Sequence, residues 1–165
     1  MELLKSNMIK HIFNKINLIN LNNLNNNFPN SMKPKLIDLP KIEDNRGNLS
    51  FIEQNNHIPF EIKRAYWIYD VPGGEIRGSH AYKTHNEYIV ALSGSFDVVL
   101  HDGKEEKKYS LNRSYYGLYI PQMCWRRLEN FSSNSLALIL ADEYYDENDY
   151  IRDFEEFSVI KTNGY

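Results

Sequence analysis

Between Leu36 and Ala141 the chain alternates apolar and polar residues in short runs, with no sustained helical spacing. The runs Leu36–Leu39, Leu49–Glu53, Lys63–Tyr69, Glu87–Leu92, Ser95–Leu100, Lys107–Leu111, Tyr116–Ile120, Arg126–Asn130 and Leu136–Ala141 are rich in β-branched and aromatic residues. Such residues fit a pleated, half-buried surface. Turn formers separate the runs: Asn45-Arg46-Gly47, Pro72-Gly73-Gly74, Ser93-Gly94-Ser95, His101-Asp102-Gly103 and Ser132-Ser133-Asn134. Val98-Val99-Leu100 running into His101-Asp102-Gly103-Lys104 predicts a hairpin. A 3.6-residue period emerges only over Asp149–Phe157, as a polar turn or short helix. Nine short strands at close spacing predict an all-β sandwich or barrel. Residues 36–145 contain no repeat or linker, so they form one domain.

The head of the chain is different material. Residues 1–31 hold ten Asn, including Asn25-Asn26-Asn27, with three Lys and one Glu. Ile9–Leu24 mixes apolar residues with Asn and Lys and lacks helix caps. It has no apolar core of about 7–15 residues, as a secretory leader would. No window reaches the roughly 18 apolar residues of a membrane span. The expectation is a poorly ordered tail, with Met32 the natural beginning of a single domain over residues 32–165.

Composition narrows the class. A chain of 165 residues suits one domain. Cys124 is the single cysteine, which excludes a disulfide-stapled secreted scaffold and favours a reducing, cytoplasmic setting. A formal charge of −3 gives no reason to expect nucleic acid or a membrane as partner. The 12 Tyr and 8 Phe argue against disorder of the main body.

Candidate chemistry concentrates between Gly74 and Gly94. Side chains on a strand alternate faces, so His80 and Tyr82 point the same way, and Arg77 approaches the same mouth through a bend at Gly78. The spacing resembles the first motif of the cupin barrel: Gly, five residues, His-x-His, four residues, Glu, six residues, Gly, with Tyr82 in the second His place. A second cupin-like motif runs from Gly117 through Pro121 to Asn130, with Met123 for the usual Gly and Arg126 for the usual His. A cupin metal site is made by three His and one Glu. A guanidinium neither deprotonates nor tolerates a nearby cation. The interior is therefore expected to be a metal-free pocket for an organic substrate bearing carbonyl, carboxylate or phosphate groups.

The likeness extends further. Arg77-Gly-Ser-His80-Ala-Tyr-Lys83, Leu92-Ser-Gly-Ser-Phe-Asp-Val98, Gly117-Leu-Tyr-Ile-Pro121, Trp125-Arg126, Asn130-Phe-Ser-Ser133 and Tyr145-Asp-Glu-Asn-Asp-Tyr-Ile-Arg-Asp153 resemble the sugar-nucleotide 3,4-ketoisomerases of the WxcM-like cupin group. The resemblance covers about Leu36 to Phe157. It implies a cupin jelly-roll barrel with a short C-terminal helix or turn. It also implies conversion of dTDP-4-keto-6-deoxyglucose to a 3-keto isomer without metal or organic cofactor, in a homodimer. The product would feed an aminotransferase making a 3-amino-3,6-dideoxyhexose for a surface glycan. Arg46 and Arg126 stand where that group varies, which makes them candidates for control of the C4 configuration.

The chemistry of such a shift is compatible with these residues. It removes a proton from C3, holds an enediol(ate) and returns a proton at C4. A histidine suits proton transfer near neutral pH, so His80 is the first candidate. Arg126 and the phenols of Tyr66 or Tyr82 are candidate stabilisers of the enolate oxygen. Arg46, Arg64 and Arg77 are available as forks for the pyrophosphate. Glu87 either pairs with an arginine inside the barrel or contacts substrate. Family members carry His-Ala-His-Lys where this chain has His80-Ala-Tyr82-Lys83. An unperturbed phenol, with a pKa near 10, is a poor base but can donate or relay a proton. Three readings stay open: isomerisation through His80 and Tyr82, a related reaction such as 3,5-epimerisation of the same sugar nucleotide, or binding without catalysis. Elsewhere, His57 and His101 are expected to be solvated, His85 to lie in a loop, Cys124 to be packed, and the acidic run Asp142–Asp153 to be a solvated surface.

Overall fold

A computed structural model describes residues 33–163, so the expectation for residues 1–31 lies outside the described residues. The strands are β1 (Lys35–Asp38), β2 (Arg64–Tyr69), β3 (Arg77–Tyr82), β4 (Glu87–Ser93), β5 (Phe96–His101), β6 (Glu106–Leu111), β7 (Tyr116–Ile120), β8 (Trp125–Glu129), β9 (Leu136–Ala141) and β10 (Tyr150–Ile151). Helix α1 (Phe154–Thr162) follows. They form two antiparallel five-stranded sheets, one ordered β1-β7-β4-β9-β2 and the other β10-β3-β8-β5-β6. The β5–β6 hairpin is present, with Phe96 opposite Leu111 and His101 opposite Glu106.

Three apolar clusters fix which way each strand faces. Ile89, Ala91, Phe96, Val98, Leu100, Leu118, Leu128 and Ile139 meet between the two sheets. Tyr88, Val90 and Leu140 point to the opposite side of the first sheet, under Leu39, Ile58 and Phe60. Ala81, Trp125 and Ile151 point out of the second sheet against Phe157 and Ile160 of α1. Strand alternation then decides the rest. With Ala81 turned outward, His80 and Tyr82 face inward; with Trp125 outward, Arg126 faces inward.

Two expectations are corrected. Leu49–Glu53 is not a strand; it contributes an isolated bridge from Leu49 to Ile42, and the segment covers the first sheet as irregular chain. The helix lies later than its sequence period suggested, because Tyr150-Ile151 pairs with β3 and Asp153 caps the helix by accepting from the Glu156 amide.

Two backbone positions shape the interior. Gly78 has φ +66°, and the β3–β8 register shifts between Arg77 and His80. A Cβ at Gly78 would stand 2.5 Å from Arg126 Nη1, so the bulge also makes room for the guanidinium. Met123, at the usual cupin Gly, keeps a left-handed φ of +55° and is held by its amide donating to Tyr82 O at 2.7 Å.

Candidate active site

Register brings the polar interior groups to one level. Across the first sheet, Arg64 lies opposite Ala141, and Ala141 opposite Glu87. Across the second, His80 lies opposite Arg126. Ala141 is small, so the space between Arg64 and Glu87 is not filled from their own sheet. Tyr66 shares the inward face of β2 with Arg64.

Glu87, Arg126 and Tyr66 form a closed network in this space. Arg126 is 2% exposed and Glu87 1%. Arg126 donates through Nε to Glu87 at 2.6 Å, through Nη1 to Gly78 O at 3.2 Å and through Nη2 to the Tyr66 hydroxyl at 3.0 Å. Tyr66 in turn donates to the other Glu87 oxygen. Burial pushes the Tyr66 phenol well above its ordinary range, and the Glu87 carboxylate adds to that; Arg126 opposes it. Burial disfavours the charged Arg126, yet Glu87, Tyr66 and Tyr82 outweigh it and hold the guanidinium charged. Of the two readings for Glu87, pairing with an arginine inside the barrel is the one the geometry displays. Arg126 is a fixed positive charge rather than a loose fork.

His80 stands against this network. Its Nε2 is buried and has no hydrogen-bond partner among the described residues. Burial lowers its pKa to about 2, with Arg126, Arg152, Arg64 and His85 adding repulsion. The imidazole is therefore neutral, with a free nitrogen. Arg64 is the second group with unmet capacity: its buried Nε and Nη2 lack partners, and its guanidinium lies over the rings of Tyr66 at 5.1 Å and Tyr145 at 5.8 Å. Buried cationic N–H donors left unpaired are costly unless an anion meets them.

Tyr82 is enclosed by aromatic and cationic neighbours. Its hydroxyl donates to that of Tyr150 at 2.9 Å, since the two residues are opposite each other in the β3–β10 pair. His80 meets the Tyr82 ring edge-on at 4.8 Å. His85 stacks on it at 4.5 Å, and the Arg126 guanidinium lies 5.6 Å from its centre. Burial raises the phenol pKa above its usual value, with Glu87 adding to the effect, so Tyr82 holds its proton at neutral pH.

The sequence missed three members of this cluster. His85, expected in a loop, is buried, because the turn after β3 folds back on Tyr82. Its Nδ1 meets Asp149 and its Nε2 meets Tyr144 O at 3.1 Å. Asp149, expected in a solvated acidic run, is buried and also accepts from the Thr84 amide and hydroxyl. Tyr150 was visible only as part of the tail signature. The other proposed arginines lie outside the cluster. Arg46 is 89% exposed and forks onto Asp44, and Arg77 is exposed at the start of β3. Among the described residues, no group of three or more His, Cys, Asp or Glu is arranged to hold a metal ion.

Comparison with known proteins places this arrangement. Residues 32–162 match the FdtA family model, described as WxcM-like, C-terminal. The chain belongs to this family. A curated relative, the TDP-4-oxo-6-deoxy-alpha-D-glucose-3,4-oxoisomerase of Aneurinibacillus thermoaerophilus, is 44% identical over 134 residues, which is 80% of this chain and 96% of the relative. A crystallised mutant of the 3,4-ketoisomerase QdtA from Thermoanaerobacterium thermosaccharolyticum, in complex with TDP-4-keto-6-deoxyglucose, superposes with a TM-score of 0.78 at 36% identity, covering 80% of this chain and 96% of that one. A dTDP-4-dehydrorhamnose 3,5-epimerase from Bacillus anthracis covers 77% of this chain and 80% of its own, with a TM-score of 0.64 at 18% identity, a likeness of fold alone. The chain thus shares its architecture with a crystallised 3,4-ketoisomerase and much of its sequence with a curated 3,4-oxoisomerase.

Proposed function

We propose that this chain is a sugar-nucleotide 3,4-ketoisomerase that converts dTDP-4-keto-6-deoxyglucose into a dTDP-3-keto-6-deoxyhexose. The observation that carries this reading is His80 Nε2: a neutral, buried imidazole nitrogen, unpartnered, beside a fixed guanidinium. His80 takes the C3 proton. Negative charge on the resulting enediolate is stabilised by Arg126 and by the protonated phenol of Tyr66. Tyr82 returns a proton to C4, and the hydroxyl proton moves from the C3 oxygen to the C4 oxygen, which completes the isomerisation with no net oxidation. As negative charge arrives with the substrate, the repulsion that depresses His80 is relieved, so its basicity rises where it is needed. Arg64, with its unpartnered donors, binds an anionic part of the substrate.

The product feeds an aminotransferase making a 3-amino-3,6-dideoxyhexose for a surface glycan, in the cytoplasm. The enzyme works as a homodimer; exposed Trp67 and Tyr69 on the edge strand β2 line an apolar groove of about 430 Å³ with Leu92, Leu136 and Leu138, and His80 is not among its lining residues. Incubating the protein with dTDP-4-keto-6-deoxyglucose and following the sugar by proton NMR tests the reading. A 3-keto product is expected; inversion at C5, or saturable binding with an unchanged sugar, would overturn it.

A further inference from the structure

Tyr82 stands where the family pattern has a histidine, yet the site still holds a second imidazole within reach of it. We propose that His85, clamped by Asp149, is the positioning residue that makes Tyr82 a competent proton donor. This rests on the ketoisomerase reading above and assigns a role to a residue that does not touch substrate.

The clamp is complete. Tyr144 O can only accept, so His85 Nε2 donates to it at 3.1 Å. At Nδ1 the partner is the Asp149 carboxylate, whose other oxygen already takes the Thr84 amide at 2.9 Å and the Thr84 hydroxyl at 2.7 Å. With Asp149 as an ionised carboxylate, both ring nitrogens face acceptors, and the imidazole that donates to both is a cation. Burial of the His85–Asp149 pair, at 2% and 8% side-chain exposure, keeps water from screening it.

That cation lies flat on the phenol of Tyr82, with 4.5 Å between ring centres and 24° between planes. Arg126 lies 5.6 Å from the same ring. Tyr82 is also acted on by His80 at the ring edge, by the Tyr150 hydroxyl, and by Tyr66 and the Glu87 carboxylate. When Tyr82 gives its proton to C4, the O–H bond breaks, the C–H bond forms, and negative charge appears on the phenol oxygen. Two flanking cations stabilise that charge. The Tyr150 hydroxyl, 2.9 Å away on a half-buried residue, then returns a solvent proton to Tyr82, while His80 releases the C3 proton to solvent. Atoms and electrons balance without a co-reactant.

The test is a double-mutant cycle on the full chain with dTDP-4-keto-6-deoxyglucose. His85→Phe keeps a stacked ring and removes the charge and both hydrogen bonds. It is expected to lower kcat roughly tenfold with KM within about twofold. Exchange of the substrate C3 hydrogen with deuterated water, the work of His80, should persist. In a Tyr82→Phe background the same change should have no further effect on kcat. Asp149→Asn removes the carboxylate and should reproduce the split, which serves if His85→Phe fails to fold. Unchanged kcat in a folded variant, or equal losses in both backgrounds, overturns the inference. A wild-type protein without turnover or exchange would instead sink the underlying functional reading.

Discussion

His80 illustrates how a single side chain acquires its function from its surroundings. A histidine on an alternating strand announces only a face; its neutral form is secured by burial and by four neighbouring positive groups, which lower its pKa to about 2. That depression has a consequence for stability. In the unfolded chain His80 titrates near 6.5, so below that pH the unfolded state binds a proton that the folded state refuses. Stability contributed this way is present above about pH 6.5 and falls with pH toward the folded value of about 2. The slope should approach 1.4 kcal/mol per pH unit, and urea titrations of His80→Asn between pH 6 and 4 should show a shallower loss than wild type. Met123 poses a contest of two effects. Its left-handed φ of +55° costs about 1–2 kcal/mol, while removal of a buried Met side chain costs about 2–5 kcal/mol. Packing wins, so Met123→Gly should lower the urea midpoint by an amount equivalent to about 1–3 kcal/mol, although glycine is the residue the motif would supply. Tyr82→His tests the departure directly: a modest change in kcat is expected, since His85 already serves the phenol, whereas a large rise would mark Tyr82 as a degraded position.

At the level of elements, β3 carries the site and its bulge tunes it. Gly78→Ala would place a Cβ 2.5 Å from Arg126 Nη1 at a φ of +66°. The guanidinium must then leave Gly78 O, and we expect a loss of about 1–3 kcal/mol together with a fall in kcat, measured by urea unfolding and NMR turnover. Eight of the ten strands and the β5–β6 hairpin were legible in the sequence because alternation and turn residues are local signals; β3 was legible only through the His80–Tyr82 motif, and the two-residue β10 was not. Leu49–Glu53 alternates equally well, but it lies over the outer face of a sheet whose neighbours are already chosen, and local pattern does not report that. His85 was illegible for the same kind of reason. Its partners Asp149 and Tyr144 are 64 and 59 residues away along the chain, brought to it only when β10 pairs with β3.

Across the whole molecule, the two sheets meet through a buried ion pair that links fold to function. Breaking it from one side, as in Arg126→Leu, strands the Glu87 carboxylate at 1% exposure and should cost about 3–5 kcal/mol. The double variant Arg126→Leu with Glu87→Leu should regain most of that stability in calorimetry and still lack turnover, separating the pair's chemical role from its structural one. Family membership explains the scaffold; the groups with unmet bonding capacity, His80 Nε2 and the Arg64 guanidinium, are the ones we propose meet the substrate on it. The central claim is that His80 removes the C3 proton of a 4-keto sugar. Its most direct measurement is the position of label when dTDP-4-keto-6-deoxyglucose is incubated in deuterated water with wild type and with His80→Asn. Deuterium at C4 of a 3-keto product and at C3 of recovered substrate is expected from wild type. The variant should yield neither while binding dTDP within a few-fold. Label at C5, or unaltered C3 exchange in the His80→Asn protein, would contradict the account.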